Sequence, residues 1–530
     1  MKPSLVKLIL AIIIFTVSLA VSYYPLHKKG YATGGDFSAL AEARNFAIAG
    51  TYQYESPNGV LLSTDKVATE GKKIGITNPL TPIIYGYIFK YFGTDTPLMP
   101  MYLAIVLAAL FNVIIFLLTT QLFGPMIGFF SAITMAFMPV RIIGALSFSS
   151  YEFAMVFFGI ALWLYLGSQE KLFKVSLGRL AIASAFFALA ALARNAFLIS
   201  FAPFVIFDFY KNRLFKRSLI FVLPFLIIFG STLTSYSWLG VPNGYLADIN
   251  NQPFNQIGHV FNDPYSLYYN KDNYLNNFVS QEKLNRVNIH FLSQWNYKVS
   301  WSERLKAYED SVKFYLTRTF DLTNYGGPLI VFIMFLGGYW LYQNKKDMLW
   351  FFGFWFVIWF GGLVSFQTGN WDHFQEIIFM AAVLTGLGLY QLLELLKPLR
   401  FKQLIMSGIL LVFIVGHLIY ADKWQLFDSY RSSYFGAAIE MAKAEQDIKN
   451  TGVIAVGTHS TFADAFYYLT NRDVIYFNPS TIEELIKNGK LKEAFDIYKV
   501  KSALGYTSNL SNRMKLTLKI PVFPYDRTIR

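Results

Sequence analysis

The chain has 530 residues, of which 54% are hydrophobic and only 15% charged, against about 25% charged in soluble globular domains. This composition excludes an ordinary water-soluble fold, and the absence of cysteine excludes disulfides, thiolate metal sites and cysteine nucleophiles. The net charge of +13 is not a nucleic-acid signature, because its clusters lie beside apolar runs, where Lys and Arg set membrane orientation.

Leu5–Ser22 is a nearly unbroken apolar run behind Lys2 and Lys7, with no small-residue cleavage site after it. It reads as an uncleaved first span rather than a signal peptide, whose apolar core is shorter. Further runs follow at about 98–121, 124–140, 151–167, 179–193, 196–210, 218–239, 327–343, 348–366, 374–396 and 402–421. Together they predict about eleven transmembrane helices, each near the ~20 residues needed to cross. An N-terminus on the inside places Lys171/Lys174/Arg179, Lys211/Arg213/Lys216/Arg217, Lys345/Lys346 and Lys397/Arg400/Lys402 on the cytoplasmic side. This is the expected asymmetry of positive charge. The same count puts the first loop (24–97), the large loop (240–326) and the C-terminal tail outside a multi-pass plasma-membrane protein.

Within the first loop, Pro79–Phe92 is too short for a span and holds Lys90 in its middle. Its apolar residues Leu80, Ile83, Ile84, Tyr87, Ile88 and Tyr91 recur at helical spacing, so it reads as a helix lying in the interface. After Ala421 the character changes. GVIAVGT and DVIYF read as strands, FADAFYYLT and TIEELIKNGKLKEAFDIYK as helices, with Thr481 and Glu484 spaced as a capping box. The expected organisation is a helical membrane domain over 1–421 and a small extracytoplasmic α/β domain over 422–530.

Few residues are placed for chemistry. Asp36 follows Thr33–Gly34–Gly35 and precedes the helix-like SALAEARNFAIAG. A carboxylate there has two uses, capping the helix or accepting a proton from a hydroxyl as a general base. Glu152, in ALSFSSYEF at the outer start of the fourth span, is either a second catalytic carboxylate or a solvated acid that suits the helix dipole. The pair Asp36 and Glu152 is also the candidate site for a divalent metal cation. Arg141, Arg194 and His373 fall at outer span ends, against the orientation bias, and each suits either a phosphate in the outer leaflet or snorkelling to headgroups. Lys72 and Lys73 join them just before the interfacial helix.

The stretch GGDFSALAEARNFAIAGTYQY…NPLTPIIYGYIFKYFG resembles the first external loop of the GT-C glycosyltransferases, in particular the bacterial branch related to protein O-mannosyltransferases and the lipid A aminoarabinose transferase. Asp36 matches that family's proposed base. Phe37 stands where a Glu often follows, and Asn78–Pro79–Leu80 lacks the lysine of the family motif, leaving Lys72 or Lys73 as substitutes. The late WDHFQEIIFMAAVLTG, with His373, is similar to the motif in which a basic or aromatic residue precedes an apolar run, and the α/β tail is similar to those of bacterial members.

The resemblance implies a GT-C-like enzyme that moves a sugar from a polyprenyl-phosphate donor to an acceptor hydroxyl on protein, lipid or polysaccharide, with inversion. Some members of the family need a metal and others do not. A transporter or flippase for lipid-linked saccharides would carry ionisable groups near the midplane of its spans. Here the spans read as nearly free of charge, which favours surface chemistry. A non-catalytic binder of such saccharides is the third reading, kept open by the departures at Phe37 and Asn78.

Overall fold

The structure is a computed structural model. It describes residues 3–29, 37–49, 80–93, 99–146, 151–167, 172–194, 196–238, 309, 312–317, 319, 321–366, 371–397, 401–423, 441, 452–457, 466, 469–470, 472, 474–477, 479–497 and 500–524. Each of the eleven apolar runs forms helix. They are α1 (Pro3–Lys29), α4 (Met99–Phe123), α5 (Pro125–Phe137) with α6 (Pro139–Leu146), α7 (Tyr151–Leu166), α8 (Leu177–Ala193), α9 (Phe197–Asn212), α10 (Phe215–Trp238), α12 (Pro328–Asn344), α13 (Lys346–Phe366), α14 (Ile378–Leu395) and α15 (Lys402–Lys423). The first loop supplies α2 (Phe37–Ala49) and α3 (Leu80–Phe92), and a single turn, α11 (Leu322–Tyr325), precedes α12.

Among the described residues five helices are long and apolar enough to cross a bilayer alone. The 124–140 run, expected as one span, is instead bent by 62° between α5 and α6. Pro139 explains the break: it brings no N–H to continue α5 and suits the first position of a new helix. α7 and α8, at 16 and 17 residues, are shorter than the ~20 of a full crossing.

Aromatic packing holds α7 to α10 and α13 together. Phe158 meets Phe187, Phe197, Phe204 and Trp355, with centroids 5.0–6.0 Å apart, and Phe201 stacks on Phe225 at 4.2 Å. Glycine does the same work between α12, α14 and α5. A Cβ at Gly388 would overlap the carbonyl of Ile333, one at Gly337 that of Leu384, and one at Gly386 the Ser131 hydroxyl. Backbones approach closely there because no side chain intervenes. The outward side of α15 carries Leu404, Leu411, Val412, Leu418 and Ile419, all exposed, as suits a surface facing hydrocarbon.

The interfacial helix α3 packs with a face the apolar stripe did not mark. Thr81, Pro82, Tyr85, Gly86 and Phe89 are buried, whereas Tyr87 and Tyr91 of the stripe are exposed. Leu80, Ile84 and Ile88 of the stripe are half-buried against the core, and the small and aromatic residues between its members are the fully buried ones, with Gly86 seated on α2. Phe46 sits against Gly86, edge-on to Tyr87 at 5.2 Å, with the Lys90 ammonium 5.8 Å from its ring.

Among its described residues the C-terminal region has four strands, β1 (Val453–Val456), β2 (Val474–Tyr476), β3 (Val500–Tyr506) and β4 (Val522–Pro524), in one parallel sheet of order β2-β1-β3-β4. Both expected strands are present. Of FADAFYYLT only Phe466, Leu469 and Thr470 are described, all helical. The capping box is corrected: α16 (Pro479–Lys487) begins at Pro479, which puts Thr481 inside its first turn. The expected single helix also divides. Gly489, at φ +66°, ends α16 with a left-handed residue before α17 (Leu491–Ile497), and α18 (Ser508–Leu518) follows β3.

Candidate functional site

The bend after α5 turns α6 into the bundle, so that all eight of its residues are buried. Arg141 in its first turn cannot reach water, and Glu152 in the first turn of α7 meets it. Arg141 Nη1 donates to Glu152 Oε1 at 2.8 Å and Nη2 to Oε2 at 2.7 Å, a parallel two-bond pair between side chains only 2% and 1% exposed. This is the strong geometry of an arginine–carboxylate contact. The guanidinium also lies 5.2 Å from the Phe111 ring of α4. The sequence read Glu152 as a solvated or catalytic carboxylate and Arg141 as a phosphate ligand; here each is the other's partner.

A third segment closes on this pair. The 3-10 turn Trp371–Ile377 leads into α14. Its Gln375 accepts from Arg141 Nη1 at 3.2 Å and donates to the Val140 carbonyl. Gly144 is a glycine for a visible reason, since a Cβ there would overlap the Gln375 amide. Glu376, fully buried, accepts from Ser200 Oγ of α9 at 3.2 Å.

Beside Glu152, the Tyr151 ring lies under the Arg194 guanidinium at 4.6 Å. Arg194 takes an extended conformation at the end of α8, the break expected at 193–195, and is half-buried. The preceding carbonyl, of Ala193, accepts from Thr81 Oγ1 at 3.1 Å, which ties the start of α3 to the α8–α9 junction. One end of the bundle thus gathers Arg141, Glu152, Arg194 and the turn that contains His373. Asp36, Lys72 and Lys73 lie outside the described residues; α2 begins at the residue after Asp36.

Of the carboxylates expected to hold a metal, only Glu152 is described, and it is paired with Arg141; among the described residues no three His, Asp or Glu side chains converge. Gln375, Glu376, Ser200 and Thr81 were not singled out in the sequence. Only Gln375 and Glu376 carried a signal there, as polar residues inside an apolar run.

A second buried ion pair lies between α9 and α10, with Asp208 one of the few charges inside an expected span. Arg217 Nε donates to Asp208 Oδ2 at 2.9 Å and Nη2 to Oδ1 at 3.0 Å. Nη1 and Nη2 reach the carbonyls of Val175 and Phe173, at 2.8 and 3.2 Å. Asn212 donates to Asp208 Oδ1 at 3.1 Å.

No family model and no curated protein matches the sequence. Solved structures do. The oligosaccharyltransferase of Archaeoglobus fulgidus in complex with Zn and sulfate matches at 13% identity over 92% of this chain and 67% of that one, with a TM-score of 0.52. AglB of Archaeoglobus fulgidus, in complex with an inhibitory peptide and a dolichol-phosphate, is 12% identical over 93% and 68% of the two chains, at 0.50. ArnT of Cupriavidus metallidurans in the apo state is 12% identical over 97% and 89%, also at 0.50. The likeness runs nearly end to end in this chain, and at such identity it is a likeness of fold: this is a multi-pass membrane protein with the fold of the GT-C transferases.

Proposed function

We propose that the protein transfers a sugar from a polyprenyl-phosphate donor to an acceptor hydroxyl on the extracytoplasmic face, with inversion. The observation that carries this reading is the end-to-end fold likeness to membrane transferases, one of them solved with a dolichol-phosphate and a peptide. It is supported by the gathering of cationic and polar groups at one end of the bundle.

In this scheme Asp36 accepts the proton of the acceptor hydroxyl as its oxygen attacks the anomeric carbon. The bond from that carbon to the donor phosphate breaks on the opposite face, and the electron pair leaves with polyprenyl phosphate. Arg194, His373 and Lys72 or Lys73 offset the charge that builds on the leaving group. Because phosphate is already a good leaving group, holding the two reactants in line supplies much of the rate. The apolar bundle holds the prenyl chain while its head meets water. No step is assigned to a metal. An N-terminus inside puts the α2–α3 loop and the 422–530 region on the outer face.

The test follows release of polyprenyl phosphate by the purified protein in lipid, with a panel of polyprenyl-phosphate sugars and host membrane extract as acceptor. Asp36→Asn is expected to lower release by about 100-fold or more while donor binding survives. Unchanged release would return Asp36 to helix capping, and no release with any donor would turn the reading towards binding or transport.

A further inference from the structure

Three consecutive residues of the 371–377 turn are anchored in three directions. Phe374 lies against Trp359 of α13, ring centroids 5.7 Å apart, and near Tyr315 at 6.5 Å. Gln375 joins α6 through Arg141 and the Val140 carbonyl, and Glu376 joins α9 through Ser200. A 3-10 turn has poorer internal hydrogen bonds than an α-helix, so its shape depends on such outside support. The residues just before the anchors are Trp371, Asp372 and His373.

The Arg141–Glu152 pair is what the central anchor holds on to. Each Glu152 oxygen accepts from Arg141 and the side chain is only 1% exposed, so the carboxylate is directed at the guanidinium and shielded by protein. Both Arg141 Nη groups donate to Glu152 and Nη1 also to Gln375, with the guanidinium near Phe111; its buried Nε has no partner among the described residues. Gln375 lies 234 positions from Arg141 in the chain, so this contact joins the bend after α5 to the entry of α14.

We propose that Arg141, Glu152 and Gln375 are positioning residues: the buried pair fixes the Trp371–Ile377 turn through the Gln375 amide, and with it the backbone from which His373 projects. The activity arm of the test rests on the transferase reading; the placement of the turn does not. Arg141 and Glu152 then touch neither donor nor acceptor, and their loss acts through the turn.

The chain has no cysteine, so Asp372→Cys creates a single labelling site on the turn. In lipid nanodiscs, the rate of maleimide labelling at position 372 is compared in this background alone, with Gln375→Leu, with Glu152→Gln and with both. Gln375→Leu removes no charge and keeps the test alive where Glu152→Gln fails to fold. Each single change is expected to raise labelling about tenfold, and the second to add less than about twofold to the first, as for members of one network. In the cysteine-free chain the same changes are expected to lower kcat for polyprenyl-phosphate release about 10- to 100-fold, the scale of a misplaced group, with donor KM within about twofold. Labelling that stays unchanged in folded Gln375→Leu, or single effects that multiply, would overturn the proposal. So would an Arg141→Lys chain that labels normally but shows a raised donor KM, the mark of a direct phosphate contact. If the natural chain releases nothing from any donor, the transferase reading fails while the labelling still decides the role of the turn.

Discussion

The two buried arginine–carboxylate pairs of this bundle use the same chemistry for different ends. Asp208 and Arg217 are nine positions apart, across the connection between α9 and α10, and Arg217 spends its remaining donors on the carbonyls of Phe173 and Val175. Those carbonyls lie 44 and 42 positions away, between α7 and α8, so the pair staples two neighbouring connections together through backbone. Arg141 and Glu152 are also near in sequence, but their third partner is a side chain from the far end of the membrane domain. A pair closed by backbone carbonyls ties two connections whatever their side chains, whereas a pair closed by a distant side-chain amide makes the link depend on the residue at that one position.

The contrast is sharpest when one pair is broken and the other kept. Arg217→Ala strands a buried carboxylate, and stability is expected to fall by about 3–5 kcal/mol, the usual result of removing one member of such a pair. A thermal scan in detergent would show this as a large drop in midpoint, with donor KM unchanged in whatever fraction stays folded. Thr81→Val tests the tie between α3 and the α8 terminus. It removes one hydrogen bond to the Ala193 carbonyl and is expected to lower stability by about 1 kcal/mol in the same scan. Replacing both members of the other pair, as Arg141→Met with Glu152→Leu, removes the charges together. Stability is expected to change by less than about 1 kcal/mol, since apolar replacements of a buried pair are often neutral or better. Polyprenyl-phosphate release should nevertheless fall, because the Gln375 anchor has lost its partner. A double variant that is stable and fully active would place the pair with its counterpart, as a staple alone.

Hydropathy made the helices legible, because each run is long and its composition has few competing readings. The bend between α5 and α6 was legible only in hindsight, at Pro139, since a proline inside an apolar run is equally compatible with a kinked single span. Arg141, Glu152 and Arg194 stood out as lone charges at span ends. Their partners did not, because who meets whom depends on the direction α6 takes into the bundle, and tertiary packing sets that direction. The buried face of α3 was not marked in the sequence for a related reason: the residues that seat it are Thr, Pro, Gly and aromatic, lying between the members of its apolar stripe. Gly144, Gly337 and Gly388 carried no readable signal, since close approach is a property of two segments and a sequence shows one at a time.

The separation between Arg141 and Gln375 also has a consequence for how the protein is made. An arginine in an apolar segment is costly to hand to lipid, about 2.5–3.5 kcal/mol at the centre of an inserting helix. Glu152 follows Arg141 by only 11 residues, so the neutralising partner is synthesised almost at once. The amide that closes on them follows 234 residues after Arg141. The charge match is thus available early in synthesis and its closing contact only late.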